Sequence, residues 1–104
     1  MESQGKVIVR IYRVSDYKDE PEAFLTLFMQ AWYVQPNMVD LVWYIDQVLP
    51  GIFMGIAEVL VAKTESGLAV GMAIVGGSNT ETVYAIVADN PEVKAGLEKA
   101  CESL

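Results

Sequence analysis

The chain has 104 residues, 53% of them hydrophobic, and its 14 acidic and 7 basic side chains give a net charge of −7. That length suits one domain, 1–104, with a real core, and is too short for two. The acidic balance and the scatter of the Lys and Arg residues from Lys6 to Lys99 exclude the basic footprint of a nucleic-acid binder and disfavour a surface held on anionic lipid.

Lys6 to Val14 reads as a half-exposed strand at a sheet edge, with Val7, Val9 and Ile11 on one face and Arg10 and Tyr12 on the other, beside Ile8. Asp19-Glu20-Pro21-Glu22 opens a helix, with Asp19 as the cap and Pro21 in the first turn, where a missing N–H costs nothing. Phe24, Leu27, Phe28 and Ala31 form its buried stripe, and it runs to about Tyr33. A second helix is expected from about Asn37, with Asp40 favoured by the dipole and Leu41, Tyr44, Ile45 and Val48 as its inner face. Pro50-Gly51 is expected to stop it, leaving Gly51 to Ile56 as the approach to a buried strand.

Ala57 to Lys63, Leu68 to Val75 and Thr80 to Ala88 then read as three strands joined by short turns, an antiparallel meander. In the middle strand Leu68, Val70, Met72 and Ile74 alternate with Ala69, Gly71, Ala73 and Val75. Both faces are apolar, so both need cover, and the small-residue face suits a closely packed helix. That helix opens at Asn90-Pro91-Glu92 and carries Val93, Leu97, Ala100 and Leu104 inward, flanked by Cys101. The fold class is α/β (α+β in layer terms), with strand order 1-2-3-4, mostly antiparallel, and helices on both faces.

Strand, helix, helix, three-stranded meander, helix resembles the first two-thirds of the GNAT (GCN5-related N-acetyltransferase) superfamily. Val9 to Tyr17 resembles the family's opening strand and polar turn, Val59 to Ala73 its second and third strands, and Tyr84-Ala85-Ile86-Val87 before Pro91 its fourth. The resemblance implies an acyl-CoA-dependent N-acyltransferase with acetyl-CoA as cofactor. Ile86, Val87 and Ala88 would hold the pantetheine arm, Lys94, Ala95 and Gly96 would lie at the pyrophosphate, and Glu81 would be the general base.

The sequence departs from the family at the pyrophosphate loop. The family's Gln/Arg-x-x-Gly-x-Gly/Ala pattern, aligned on Gly96, meets Val93 at its first position and Glu98 at its last. Pro91 removes a backbone donor, and Asp89 and Glu92 place negative charge where a diphosphate would sit. Lys94 offsets only part of that charge. The chain also stops where the family's later strands begin.

Other constellations have plainer readings. No histidine is present, which excludes Ser-His and Cys-His catalysis and histidine metal sites. Asp16, Asp19, Glu20 and Glu22 fit helix capping better than a metal site, so no metal is expected. Glu58, the second meander carboxylate, reads as a solvent-facing strand residue. Gly76-Gly77-Ser78-Asn79 reads as a hairpin turn, since no helix follows it to cradle a phosphate. Cys101 reads as a packed thiol, and as the single cysteine it cannot form an internal disulfide. No apolar run reaches the roughly 18 residues that cross a bilayer, and Met1 to Gly5 lacks a signal-peptide pattern, so a cytoplasmic protein is expected.

Trp32, Tyr33, Trp43, Tyr44, Phe53 and Met54 make more apolar helix surface than four short strands can cover. A homodimer is therefore expected, with neither nucleic acid nor membrane as partner. The balance of these observations is a non-catalytic GNAT-like module that dimerises or binds a protein partner. A reduced N-acetyltransferase and a roadblock-like small dimeric binding domain are the alternatives.

Overall fold

The computed structural model of the chain describes residues 8–76 and 82–104. Four strands, β1 (Val9–Arg13), β2 (Ala57–Thr64), β3 (Ala69–Gly76) and β4 (Thr82–Ala88), form one sheet in the order β1-β2-β3-β4. Every neighbouring pair is antiparallel. The sheet is the expected meander, with β1 as the half-exposed edge. A short 3-10 turn (Val14–Tyr17) carries the chain off β1 into helix α1 (Pro21–Val34).

The start of α1 lies one residue later than expected. Glu20 is the cap, by its backbone carbonyl, which accepts from the Phe24 N–H at 2.8 Å, and no side chain caps the helix. Pro21 then fills the first helical position as its sequence demands.

The next helix corrects the sequence reading more substantially. Asp40 caps α2 (Leu41–Trp43), its carboxylate accepting from the Trp43 N–H at 2.9 Å. The chain then widens into a π turn (Tyr44–Val48) and continues as α3 (Leu49–Met54). Pro50 does not stop it. In a regular helix Pro50 would lack a donor and its ring would clash with the carbonyl four residues back. The wide turn removes that conflict: the Leu49 N–H reaches back five residues to the Tyr44 carbonyl. Gly51 to Ile56 is therefore mostly helix rather than an approach loop. Gly55, at φ 77°, ends it, with the Ile56 N–H on the Gly51 carbonyl at 2.9 Å.

Helices α1 to α3 cover one face of the sheet, and α4 (Pro91–Glu102) covers part of the other. Under α1–α3 lie Val59, Val61, Met72, Ile74 and Ala85, packed against Phe24, Phe28, Tyr44 and Ile52. Tyr44 stacks on Phe28 with centroids 4.1 Å apart and donates its phenol O–H to the Phe28 carbonyl at 2.6 Å. Ile45, expected to face inward beside it, is exposed, because the π turn changes the phase of the helix. Under α4 lie Leu60, Ala62, Val70 and Ala73, against Val93 and Leu97.

Strict alternation in β3 fails at one point. Ala62 pairs with Gly71 but Lys63 pairs with Ala69, so Val70 is an extra residue with no partner on β2. This bulge turns Val70 to the α4 side together with Gly71, and sends Ala69 to the α1 side. A second bulge in β4 leaves Tyr84 unpaired between Val83 and Ala85. Its ring packs edge-on against Trp43, with centroids 5.4 Å apart.

Candidate functional site

Among the described residues one helix roofs the α4 side of the four-stranded sheet. Strands lie about 4.8 Å apart and a helix is roughly 10 Å across, so α4 covers about two strands. It packs on β3 and β4. Leu60 and Ala62 of β2 are also sealed beneath α4, and between its N-terminal half and β1 lies an open groove of about 1010 Å³. Val9 and Ile11 of β1, Leu68 and the bulged Val70 form its floor, and Val93 and Gly96 of α4 form one wall. Asp89, Asn90 and Glu92 stand at its end, where the N-terminus of α4 opens.

That N-terminus is the part of the fold on which a pyrophosphate would have to sit, and its backbone donors are spoken for. Pro91 has none. Asn90 caps the helix through its side-chain oxygen, which accepts from the Val93 N–H at 2.9 Å. The Lys94 N–H goes to the Asn90 carbonyl at 3.1 Å. Of the first four helical N–H groups, Glu92 alone is left, in a segment whose Asp89 and Glu92 are both acidic. An anion-binding helix end presents several free N–H groups together and no acidic neighbours.

The residues expected to hold acyl-CoA do not converge. Lys94 and Ala95 are exposed and do not line the groove. Gly96 does, and a Cβ added there would lie 3.6 Å from Ile11 Cδ1. Ile86 and Ala88 point beneath α4 and Val87 toward the opposite core, all three on the sheet's outer strand. Glu81, the expected base, lies outside the described residues, as do Gly77, Ser78 and Asn79 of the glycine turn.

Glu58 is not the solvent-facing strand residue that its type suggests. It is the buried charged side chain of the described core, at 4% exposure. One carboxylate oxygen accepts from the Ser15 and Val59 N–H groups, each at 3.1 Å. The other accepts from the Ser15 hydroxyl and faces Arg13 Nε at 3.6 Å. With both oxygens doubly engaged, this carboxylate ties the 3-10 turn after β1 to β2 and has little left to offer a substrate. Sequence reasoning missed it because the partner, Ser15, lies 43 positions away.

Cys101 packs beside Ala100 and Leu104 at the margin of the α4 core. Burial first, then the nearby Glu98 and Glu102, push its thiol up from the ordinary value, which disfavours the nucleophilic thiolate. Among the described residues no group of three or more Cys, Asp or Glu is placed to hold a metal ion, and no helix is long and apolar enough to cross a membrane. No family model, no curated protein and no solved structure matches the chain.

Proposed function

We propose that this chain is a GNAT-like domain without transferase activity, a module that associates with itself or with a protein partner. The observation that carries this reading is the closed N-terminus of α4. Of its first four helical donors all but Glu92 are removed by Pro91 or taken by Asn90, and Asp89 and Glu92 oppose a diphosphate. Self-association draws support from α2–α3 and its exit, where Val42, Ile45, Phe53, Met54 and Ile56 are all exposed. Asp46 is the single charged residue from Leu41 to Ala57, in contrast to the strongly acidic remainder.

Titration with 1 mM acetyl-CoA is expected to give neither heat nor thermal stabilisation. A ligand at 100 times its Kd adds about 2.7 kcal/mol to the native state, a Tm rise on the order of 10 °C for a domain of this size. A rise of that kind would overturn the reading. Sedimentation velocity tests the second half: a concentration-dependent dimer is expected, dispersed by Met54→Glu. A wild-type monomer at 100 μM would leave partner binding alone.

One observation favours the transferase alternative. Among the described residues the outer edge of β4 has no neighbouring strand, which leaves the backbone of Ile86 to Ala88 open to the amides of a pantetheine arm. The acetyl-CoA titration decides between the two.

A further inference from the structure

The two edges of the sheet differ in charge. β1, at one edge, carries Arg10 and Arg13, both exposed, in a strand of five residues. Charge of this kind keeps a sheet edge from adding further strands. β4, at the other edge, has no charged residue from Thr82 to Ala88, and among the described residues no strand neighbours its outer side. Its free backbone groups can be assigned. The Asp89 N–H donates to the Val70 carbonyl at 2.9 Å, which turns residue 89 toward β3. Alternation along an antiparallel ladder then turns Val87 and Ala85 toward β3 as well. Ile86 and Ala88 are left with N–H and C=O directed away from the sheet, a template for one more strand.

Resting on the reading of the chain as a self-associating module, we infer that this strand is β4 of a second copy, paired antiparallel about a two-fold axis at Val87. In that register Ile86 of each copy lies opposite Ala88 of the other, and each pair exchanges both backbone bonds. The two Val87 side chains meet at the closer, non-hydrogen-bonded position. The bulge at Tyr84 selects this register, because a seam centred one residue earlier would set Ala88 against the bulged residue.

The layer above the strand selects a second copy over an unrelated strand. Trp43 of α2 meets β4 here, its ring 5.4 Å from that of Tyr84, and the neighbouring Val42 and Ile45 are exposed. The two-fold axis is normal to the sheet, so it sets α2 beside α2 on the same side. A second copy therefore covers apolar helix as well as bare strand. Asp89 falls opposite Ala85 rather than another carboxylate, so two chains of net charge −7 meet along their uncharged strand. Pairing of β4 with β1 would instead be head-to-tail, leaving a free edge at each end.

Hydrogen exchange, labelled at 2 μM and at 100 μM protein and read residue by residue by electron-transfer fragmentation, tests the seam. The Ile86 and Ala88 amides should slow at least tenfold at the higher concentration, while those of Ala85 and Val87, bonded to β3, are slow at both. Ala88→Pro removes an outward donor and spares the β3 ladder. It should weaken the dimer at least tenfold in sedimentation, with a Tm at 2 μM within a few degrees of the wild type. Raising salt from 50 to 500 mM should strengthen the dimer several-fold, by screening the repulsion of two acidic chains.

A dimer whose Ile86 and Ala88 amides exchange as fast as in the monomer would overturn the β4 seam and leave self-association through α2–α3 standing. So would unchanged affinity in Ala88→Pro, or a dimer weakened by salt, which would point to Arg10 and Arg13 of β1. A wild-type monomer at 100 μM removes self-association, and the seam with it. Slowing of the same two amides at 2 μM by 1 mM acetyl-CoA would assign the edge to a pantetheine arm and remove the non-catalytic reading.

Discussion

The two faces of the sheet are built on different terms. Beneath α1–α3, Phe24, Phe28 and Tyr44 stack in series, with centroids 6.2 Å and then 4.1 Å apart, and the central strands are sealed beneath them. Beneath α4 the contacts are small and close. A Cβ at Gly71 would come within 2.9 Å of Val93 Cγ1 and 3.0 Å of Leu97 Cδ1, and beyond the helix Ile11 and Leu68 stay exposed. Aromatic bulk closes the first face; the second is closed only where backbone and helix nearly touch. The sheet itself is thereby sealed by aromatic bulk on one side and by close backbone packing on the other.

The sharpest test of that division is Phe28→Ala. The ring is buried among the helices and stacked on Tyr44, so its removal should cost about 3–5 kcal/mol by urea unfolding. Leu68→Ser on the open face should cost almost nothing, and similar losses for the two would erase the distinction. Gly71→Ala comes next. The added methyl meets the Val87 carbonyl at 3.1 Å as well as both α4 side chains, and overpacking of this kind costs about 1–3 kcal/mol.

Tyr44→Phe should have a smaller effect at neutral pH, about 1 kcal/mol for one buried hydrogen bond, with a signature at high pH. Burial pushes the Tyr44 phenol far above its ordinary 10.0, so the folded state favours the protonated form. Its contribution is therefore complete below pH 10 and lost above it, at about 1.4 kcal/mol per pH unit. The variant should show a shallower alkaline decline, read from urea midpoints between pH 9 and 11; an unchanged slope would place the phenol in water. The smallest effect is a gain. Gly96→Ala meets only Ile11 Cδ1, at 3.6 Å, and should stabilise α4 by about 0.5–1 kcal/mol through helix propensity. A loss there would mean that the groove wall is tighter than its geometry.

Much of this fold was legible in advance because the signals were local. The apolar run of β2, the Asn90-Pro91 start of α4 and the Phe24/Leu27/Phe28/Ala31 stripe each state their structure within a few residues. What was illegible depended on distant partners or on counting. Glu58 reads as exposed until Ser15 is brought to it, and Val70 takes the wrong face until the β3 bulge adds one residue to the count. At the candidate site, Pro91 and the two carboxylates could be read directly. The capping of Val93 by Asn90 follows from the Asn-Pro sequence, but the groove itself follows only from how far α4 reaches across the sheet.

The wide turn ahead of Pro50 does more than accommodate a ring. Tyr44, Val48 and Ile52 are spaced by four, and in an unbroken α-helix eight residues at 100° each would leave the last about 80° out of line with the first. All three are nonetheless buried, at 0%, 3% and 1% exposure. The turn acts as a vernier, resetting the rotation so that a four-residue cadence stays aimed at the sheet. Deleting one residue from that turn would leave seven residues, about 700°, between Tyr44 and Ile52, so Ile52 would stay aimed at the sheet in a regular α-helix, but the Pro50 ring would then meet the carbonyl four residues back.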